Sequence, residues 1–331
     1  MPDSEKSIIR RIRQLSGKRG VARVPLGIGD DTAILRVQSG HEVLVTTDFF
    51  LEGIHFRREW HSPESVGHRC LTRGLSDIAA MGGQPVAAFL SLALPAKLPQ
   101  RWVDGFLRGL LGLAHQHGIT LAGGDTAQSP GSGSSAKILA DIVVVGHAPR
   151  GKAVRRSGAK AGDSIYVTGK LGASAFALEA LFARPKKKLD PKMHPAHFYP
   201  LPRLAVGQYL RERGIATSMI DVSDGLSTDL HHLCEESGAS AQVSVELIPR
   251  ADGATLEHAL HGGEDYELLF TAPADRKVPR SVAGIAVTRI GNIGSGPPRV
   301  SLLEGLRRRE LRPGGWEHFN DLQHSSRKRS S

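Results

Sequence analysis

Cysteine is nearly absent from this 331-residue chain. The two present, Cys70 and Cys234, stand alone, so the sequence offers neither a disulfide framework nor a CxxC metal site. A reducing, cytoplasmic setting is the expectation. Aromatic residues make up only 5% of the chain, which suits poorly the stacking platforms that hold single-stranded nucleic acid. No apolar run approaches the roughly 18 residues that a membrane span requires. GxxxxGK[ST] does not occur, so a P-loop mechanism has no support. The opening residues, MPDSEKSIIRRIRQ, lack a signal peptide's apolar stretch and carry acids that a transit peptide avoids. No membrane partner is expected.

Glycine, by contrast, is abundant, at 38 residues, and 43 Lys plus Arg against 33 Asp plus Glu leave a formal charge of +10. Such an excess fits nucleic acid, a membrane surface or small anions. Here it is concentrated in short runs, Arg10-Arg11, Lys186–Lys188, Arg307–Arg309 and Arg327–Arg329. Runs of this kind solvate loops and ends more readily than they form one face. A nucleic-acid-binding protein is therefore the weaker alternative, with no motif behind it, and no nucleic-acid partner is expected.

Along the chain, Ile8, Ile9, Ile12 and Leu15 have helical spacing and predict an amphipathic helix over residues 4–16. Strands are expected at 33–37, 42–47, 87–94, 119–122 and 138–146, with helices at 63–81 and 99–117. Ser62-Pro63 supplies a cap and a first-turn proline for the first of these helices. After a break near residues 148–152, strands at 163–167, 217–221, 241–247, 267–271, 285–290 and 299–303 alternate with helices at 174–182 and 226–236. Residues 183–202, rich in Pro, Lys and His, read as an exposed connection. This alternation predicts a two-domain α/β and α+β architecture. The first domain spans 1–148, the second 149–320, and a basic tail, 321–331, is expected to be disordered.

The chemistry is carried by aspartates set beside Gly, Ser or Thr. They are Asp30 and Asp31 in GIGDDTA, Asp48 in VTTDFF, Asp77 in GLSDIAAMGG, Asp125 in LAGGDTA, and Asp221 and Asp224 in MIDVSDGLS. Apolar strand, acid, then small residues is a sequence that ends a strand at a rim and aims a carboxylate into a cleft. One such acid is an ordinary turn or cap residue. Several in one basic chain point to hard, oxygen-ligated cations such as Mg2+ between phosphorylated substrates. VTGKLGAS, Val167–Ser174, could bind an anion at a helix start or could be a plain turn. Arg155 and Arg156 could clamp phosphate or simply be solvated. The fifteen histidines form no metal-ligand pattern; His55, near Asp48, is the one expected to contact substrate.

GIGDDTAIL, TTDFFLEGIHF, LSDIAAMGGQP, LAGGDT, RRSGAKAGD, IDVSDGLSTDL and GGEDYELLF follow one another in this order. Over residues 25–320 the chain in this respect resembles the thiamine-monophosphate kinases. The resemblance implies a two-domain aminoimidazole-ribonucleotide synthetase-like fold whose N-terminal half forms a dimeric barrel-like core. It implies transfer of the ATP γ-phosphoryl to thiamine monophosphate by a cytoplasmic homodimer, with several Mg2+ ions and no phosphoenzyme. Asp31, Thr46, Thr47, Asp48, Asp77, Asp125, Asp221 and Asp224 match metal positions. Gly124, Asp125, Arg156 and Ser223 match ATP positions, and His55, Glu264 and Trp316 match substrate positions. No general base is implied. Sister enzymes sharing the ATP-binding plan are the nearer alternative; selenophosphate synthetases, however, carry a reactive Cys or selenocysteine near the N-terminus, where this chain has none.

Overall fold

The structure is a computed structural model and describes residues 5–16, 22–28 and 32–317. It divides into two compact units: Met1–Ala153 with Phe198–Leu204, and Val154–His197 with Ala205–Ser331.

In the first unit the chain runs α1 (Glu5–Leu15), β1 (His41–Leu51), α2 (Pro63–Ala80), β2 (Gln84–Leu94), α3 (Gln100–Gln116), β3 (Thr120–Gln128) and β4 (Leu139–Pro149). Its four-stranded sheet has the order β1-β4-β2-β3. Only β2 and β3 are parallel, as expected where a helix makes the crossover. Ser62 caps α2, its hydroxyl accepting from Ser65 N at 3.2 Å, and Pro63 takes the first helical position. α2 packs on β1, β4 and β2 and buries Leu71, Leu75 and Ile78. Glycines let α2 and α3 approach closely. A Cβ on Gly67 would lie 1.9 Å from Phe106 O, and one on Gly109 would lie 1.9 Å from Glu64 O.

The remaining elements, in the second unit apart from Phe198 and Leu204, are β5 (Ser164–Thr168), α4 (Ala173–Ala183), α5 (Pro195–Phe198), α6 (Leu204–Glu212), β6 (Ser218–Val222), α7 (Leu226–Ser237), β7 (Ser240–Ser244), α8 (Leu256–His261), β8 (Glu267–Ala272), β9 (Ser281–Val282), β10 (Ile285–Gly294), β11 (Arg299–Glu304) and β12 (Arg307–Glu310). The order β12-β11-β7-β10-β5-β8-β6 makes one mixed sheet, with β9 hairpinned onto β10. Val167, Ile220, Leu230, Leu269, Ile290 and Val300 form part of its core.

Several expected elements differ. Residues 33–37 form no strand, only an isolated bridge between Leu26 and Ile34. The 183–202 connection is not exposed throughout: Lys186–Lys188 are, but Phe198 is 1% exposed. Ser65 Oγ donates to Phe198 O, and His68 Nε2 lies 2.8 Å from Pro200 O. Those contacts hold this stretch onto α2. The Arg307–Arg309 run is an exposed edge strand, where charge discourages pairing with another chain. Asp30, Asp31 and the 321–331 tail lie outside the described residues.

Candidate active site

Two clusters of the expected residues form, one in each unit. In the first, pleat alternation on β1 sends Thr46 and Asp48 to the face that α2 covers. Asp77, inside α2, meets them: Thr46 Oγ1 donates to Asp77 Oδ2, and the Asp77 and Asp48 carboxyls are hydrogen-bonded. Arg73 lies one turn before Asp77 and pairs with Asp48 at 3.2 Å. Burial raises the Asp48 pKa, Arg73 opposes that rise, and neighbouring Asp141 adds to it. The donors here are carboxylate and hydroxyl oxygens. Among the described residues, no group of three His, Cys, Asp or Glu is close enough to share an ion.

Thr47 and Asp125 point elsewhere. Thr47 is on the opposite face of β1 and donates to Asp141 Oδ1 at 2.8 Å. Asp125 belongs to the same cross-sheet row as Phe49, Asp141 and Ser91. It therefore lies on the far edge strand, about 14 Å from β1 at three strand spacings. Neither Asp48 nor Asp125 ends its strand, because β1 and β3 each continue three residues further. Phe49-Phe50-Leu51 explains this for β1: Phe50 is fully buried and stacks on Phe56, which keeps the strand extended. Gly124 adopts φ 147°, and a Cβ there would strike Leu90 O at 1.9 Å. Beside Gly124 and Asp125 is a cavity of about 310 Å³ lined also by Ile9, Ile12, Ile28 and Phe89. His55 stacks on Phe50, and its Nδ1 accepts from Leu51 N at 2.9 Å, which leaves the ring proton on Nε2.

The second cluster surrounds the SDG loop. Here the rim expectation holds, since Asp221 is next to last in β6 and Asp224 follows in the turn to α7. Glu264 N donates to Ser223 O at 2.8 Å, and Trp316 N donates to Asp224 O at 3.0 Å. Asp221, Ser223, Asp224, Glu264 and Trp316, far apart in sequence, are thus brought to one place. Glu264 and Tyr266 have φ 63° and 52°, left-handed values that non-glycine residues rarely adopt. Arg155 and Arg156 are exposed and form no ion pair among the described residues. Arg155 O accepts from Met219 N, so their segment flanks the start of β6.

Sequence reading missed four polar residues. Asp265 carries one: its Oδ2 accepts from Gly172 N at 2.7 Å, with further backbone bonds from Ala173 and Ser174. The helix start in VTGKLGAS is thus filled by a carboxyl of the protein itself and is a structural turn. Burial pushes Asp265 up to about 8. Asp229, with Oδ2 inside the SDG loop, has its pKa raised well above the usual value by burial and by Asp221 and Asp224. Asp141 was visible as a lone charge in the apolar run LADIVVV, and Arg73 as the i−4 neighbour of Asp77. Asp229 and Asp265 gave no local signal beyond being acids near an acid.

Comparison with known proteins agrees with this architecture. The model of the AIR synthase related protein N-terminal domain matches residues 29–148, and that of the C-terminal domain matches 160–301. Fold and site therefore define a two-domain AIR synthase-like protein. Thiamine-monophosphate kinase of Salmonella typhimurium is 37% identical over 279 residues, 81% of this chain and 82% of its own length. The crystal structure of thiamine-monophosphate kinase from Stenotrophomonas maltophilia superposes with TM-score 0.77 at 33% identity, covering 90% of this chain and 95% of that one. AaThiL complexed with AMPPCP and TMP gives TM-score 0.74 at 31% identity, with 95% and 97% covered. The chain belongs to the thiamine-monophosphate kinase family.

Proposed function

We propose that this chain transfers the γ-phosphoryl group of ATP to thiamine monophosphate, giving thiamine diphosphate and ADP. The observation that carries the reading is the convergence of the SDG loop, the left-handed Glu264 turn and Trp316 in a member of this family. Ser223 and Arg156 in the second unit, with Gly124 and Asp125 in the first, are assigned to ATP. The apolar cavity beside Gly124 suits a purine base. Glu264, Trp316 and His55 are assigned to the thiamine substrate.

Mg2+ would supply neutralisation of the repulsion between two phosphorylated substrates when bound. The residues fit a hard ion, because Thr46, Asp48 and Asp77 present oxygen alone and two of them are adjoining carboxyls with one arginine as counterion. Asp31, Thr47 and Asp125 in the first unit, and Asp221 and Asp224 in the second, complete the proposed ligand set. The attacking phosphate oxygen is ionised at neutral pH, so alignment by these side chains can suffice without a general base.

Two features support a homodimer. Val43, Val45 and Phe49 on β1 are 51%, 64% and 66% exposed on the sheet face away from α2. Contiguous apolar surface of this kind favours burial against a partner. In addition, β1 and β3 are the two edge strands of one sheet; a second copy bringing its β3 beside β1 would pair both edges, in the manner of a closed barrel. A cytoplasmic location completes the proposal.

A magnesium-dependent assay with purified protein tests the reading: ADP should form only when ATP, thiamine monophosphate and Mg2+ are all present. Absence of that product from folded protein would refute it. The sister reaction of selenophosphate synthetases finds no support, since Cys70 is wholly buried inside α2 and its thiol is pushed far above the usual range by burial.

A further inference from the structure

The three-residue loop Ser223–Gly225 presents consecutive backbone N–H groups, an arrangement that elsewhere cradles phosphate. In this protein one oxygen already fills it. Asp229 Oδ2 accepts from Ser223 N at 3.1 Å, Asp224 N at 3.1 Å and Gly225 N at 3.0 Å. Asp229 is 1% exposed and lies in the first turns of α7, with its side chain folded back over the helix start. The loop's carbonyls are held as well. Ser223 O and Asp224 O accept from Glu264 N and Trp316 N, and Gly225 O accepts from Thr228 N and Asp229 N. The holding segments come close: a Cβ on Gly315 would lie 1.9 Å from Asp224 O, and one on Gly263 would lie 2.5 Å from Ser223 O. Every backbone polar group of the loop is therefore satisfied from within the protein.

We infer that Asp229 is a positioning residue: its carboxylate fixes the Ser223–Gly225 backbone so that the side chains of Asp221, Ser223 and Asp224 are set for cation and nucleotide. The inference rests on the function proposed above for those three side chains. It has a chemical consequence. With its N–H groups taken, the loop can meet a nucleotide only through side chains, so the Ser223 contact is made by its hydroxyl. Without Asp229, three adjacent donors, two half-buried and one buried, would lose their acceptor, and the loop would turn toward water or a phosphate oxygen.

Full-length Asp229→Asn and Asp229→Ala variants test this with three readouts. Hydrogen exchange, followed by mass spectrometry without ligands, should show Ser223–Gly225 amides slow in the wild type and at least about tenfold faster in Asp229→Ala, with β8 unchanged. Mn2+ binding, followed by the electron paramagnetic resonance of the free ion in the presence of a non-hydrolysable ATP analogue, should weaken about tenfold in Asp229→Ala. Asp229→Asn keeps one acceptor oxygen and should lie between wild type and Asp229→Ala in both. In the kinase assay the Mg2+ midpoint should rise by the same factors. Wild-type exchange in a folded Asp229→Ala variant would overturn the inference, as would wild-type Mn2+ affinity in a variant whose loop exchanges fast. If Asp229→Ala does not fold, the same two outcomes are read from Asp229→Asn. Failure of the wild type to turn over thiamine monophosphate would sink the proposed function, yet leave the exchange and Mn2+ measurements to decide the role of Asp229.

Discussion

At the residue scale, the first-unit site sets two carboxyls, Asp48 and Asp77, against a single guanidinium. Burial raises the Asp48 pKa, and the Arg73 guanidinium opposes that rise. Asp48→Asn removes ionic charge from the proposed metal shell at almost constant volume. Turnover should fall about 100-fold or more, while Asp252→Asn, at an exposed surface pair with Lys170, should change it less than about twofold. Steady-state ADP release at saturating Mg2+ compares the two. Asp48, Asp77 and the SDG acids were legible in the sequence because acid beside Gly, Ser or Thr recurs. What the pattern could not tell is the direction in which each side chain points. Thr46 and Thr47 are neighbours in sequence and lie on opposite faces of β1, because a strand alternates.

At the scale of elements, glycines at a helix–helix contact bear on stability. Gly109→Ala would place a methyl carbon against Glu64 O, a backbone atom that cannot rotate away. The unfolding free energy should drop by about 3 kcal/mol, seen as a lower urea midpoint with unchanged m-value. The Asp265 turn predicts a pH dependence. Its carboxyl stands at about 8 in the folded protein against an ordinary value of 3.8. Between those values the folded state holds a proton that the unfolded chain has lost, so stability falls as pH rises through that window. This contribution is complete below the unfolded pKa and gone above the folded one. Asp265→Asn, which does not titrate, should flatten the decline between pH 5 and 8 in urea titrations. Helix spans were read within a residue or two from caps and spacing, as at Ser62-Pro63. The ends of β1 and β3 were read short, since pairing with β4 and β2 prolongs them, whereas 241–247 was read long, its last three residues forming a 3₁₀ turn.

For the whole molecule, the exposed apolar strip of β1 is the testable surface. Val45→Glu with Phe49→Glu puts two charges on the face proposed to meet a second copy. Light scattering should then give a mass near 35.5 kDa in place of twice that value. Wild-type mass in the double variant would overturn the dimer.

The sequence by itself determined the kinds of chemistry open to this protein: no thiol chemistry, no P-loop, and aspartates among glycines in an ordered series of motifs. It determined most helices and strands too, because caps, proline and hydrophobic period act over a few residues. Only the tertiary structure decided which aspartates meet, which lie across the sheet, and which, like Asp229 and Asp265, are spent holding backbone. Those outcomes depend on strand register and on segments more than ninety residues apart in the chain (Gly172 with Asp265, for one), and no local pattern encodes a contact made over that separation.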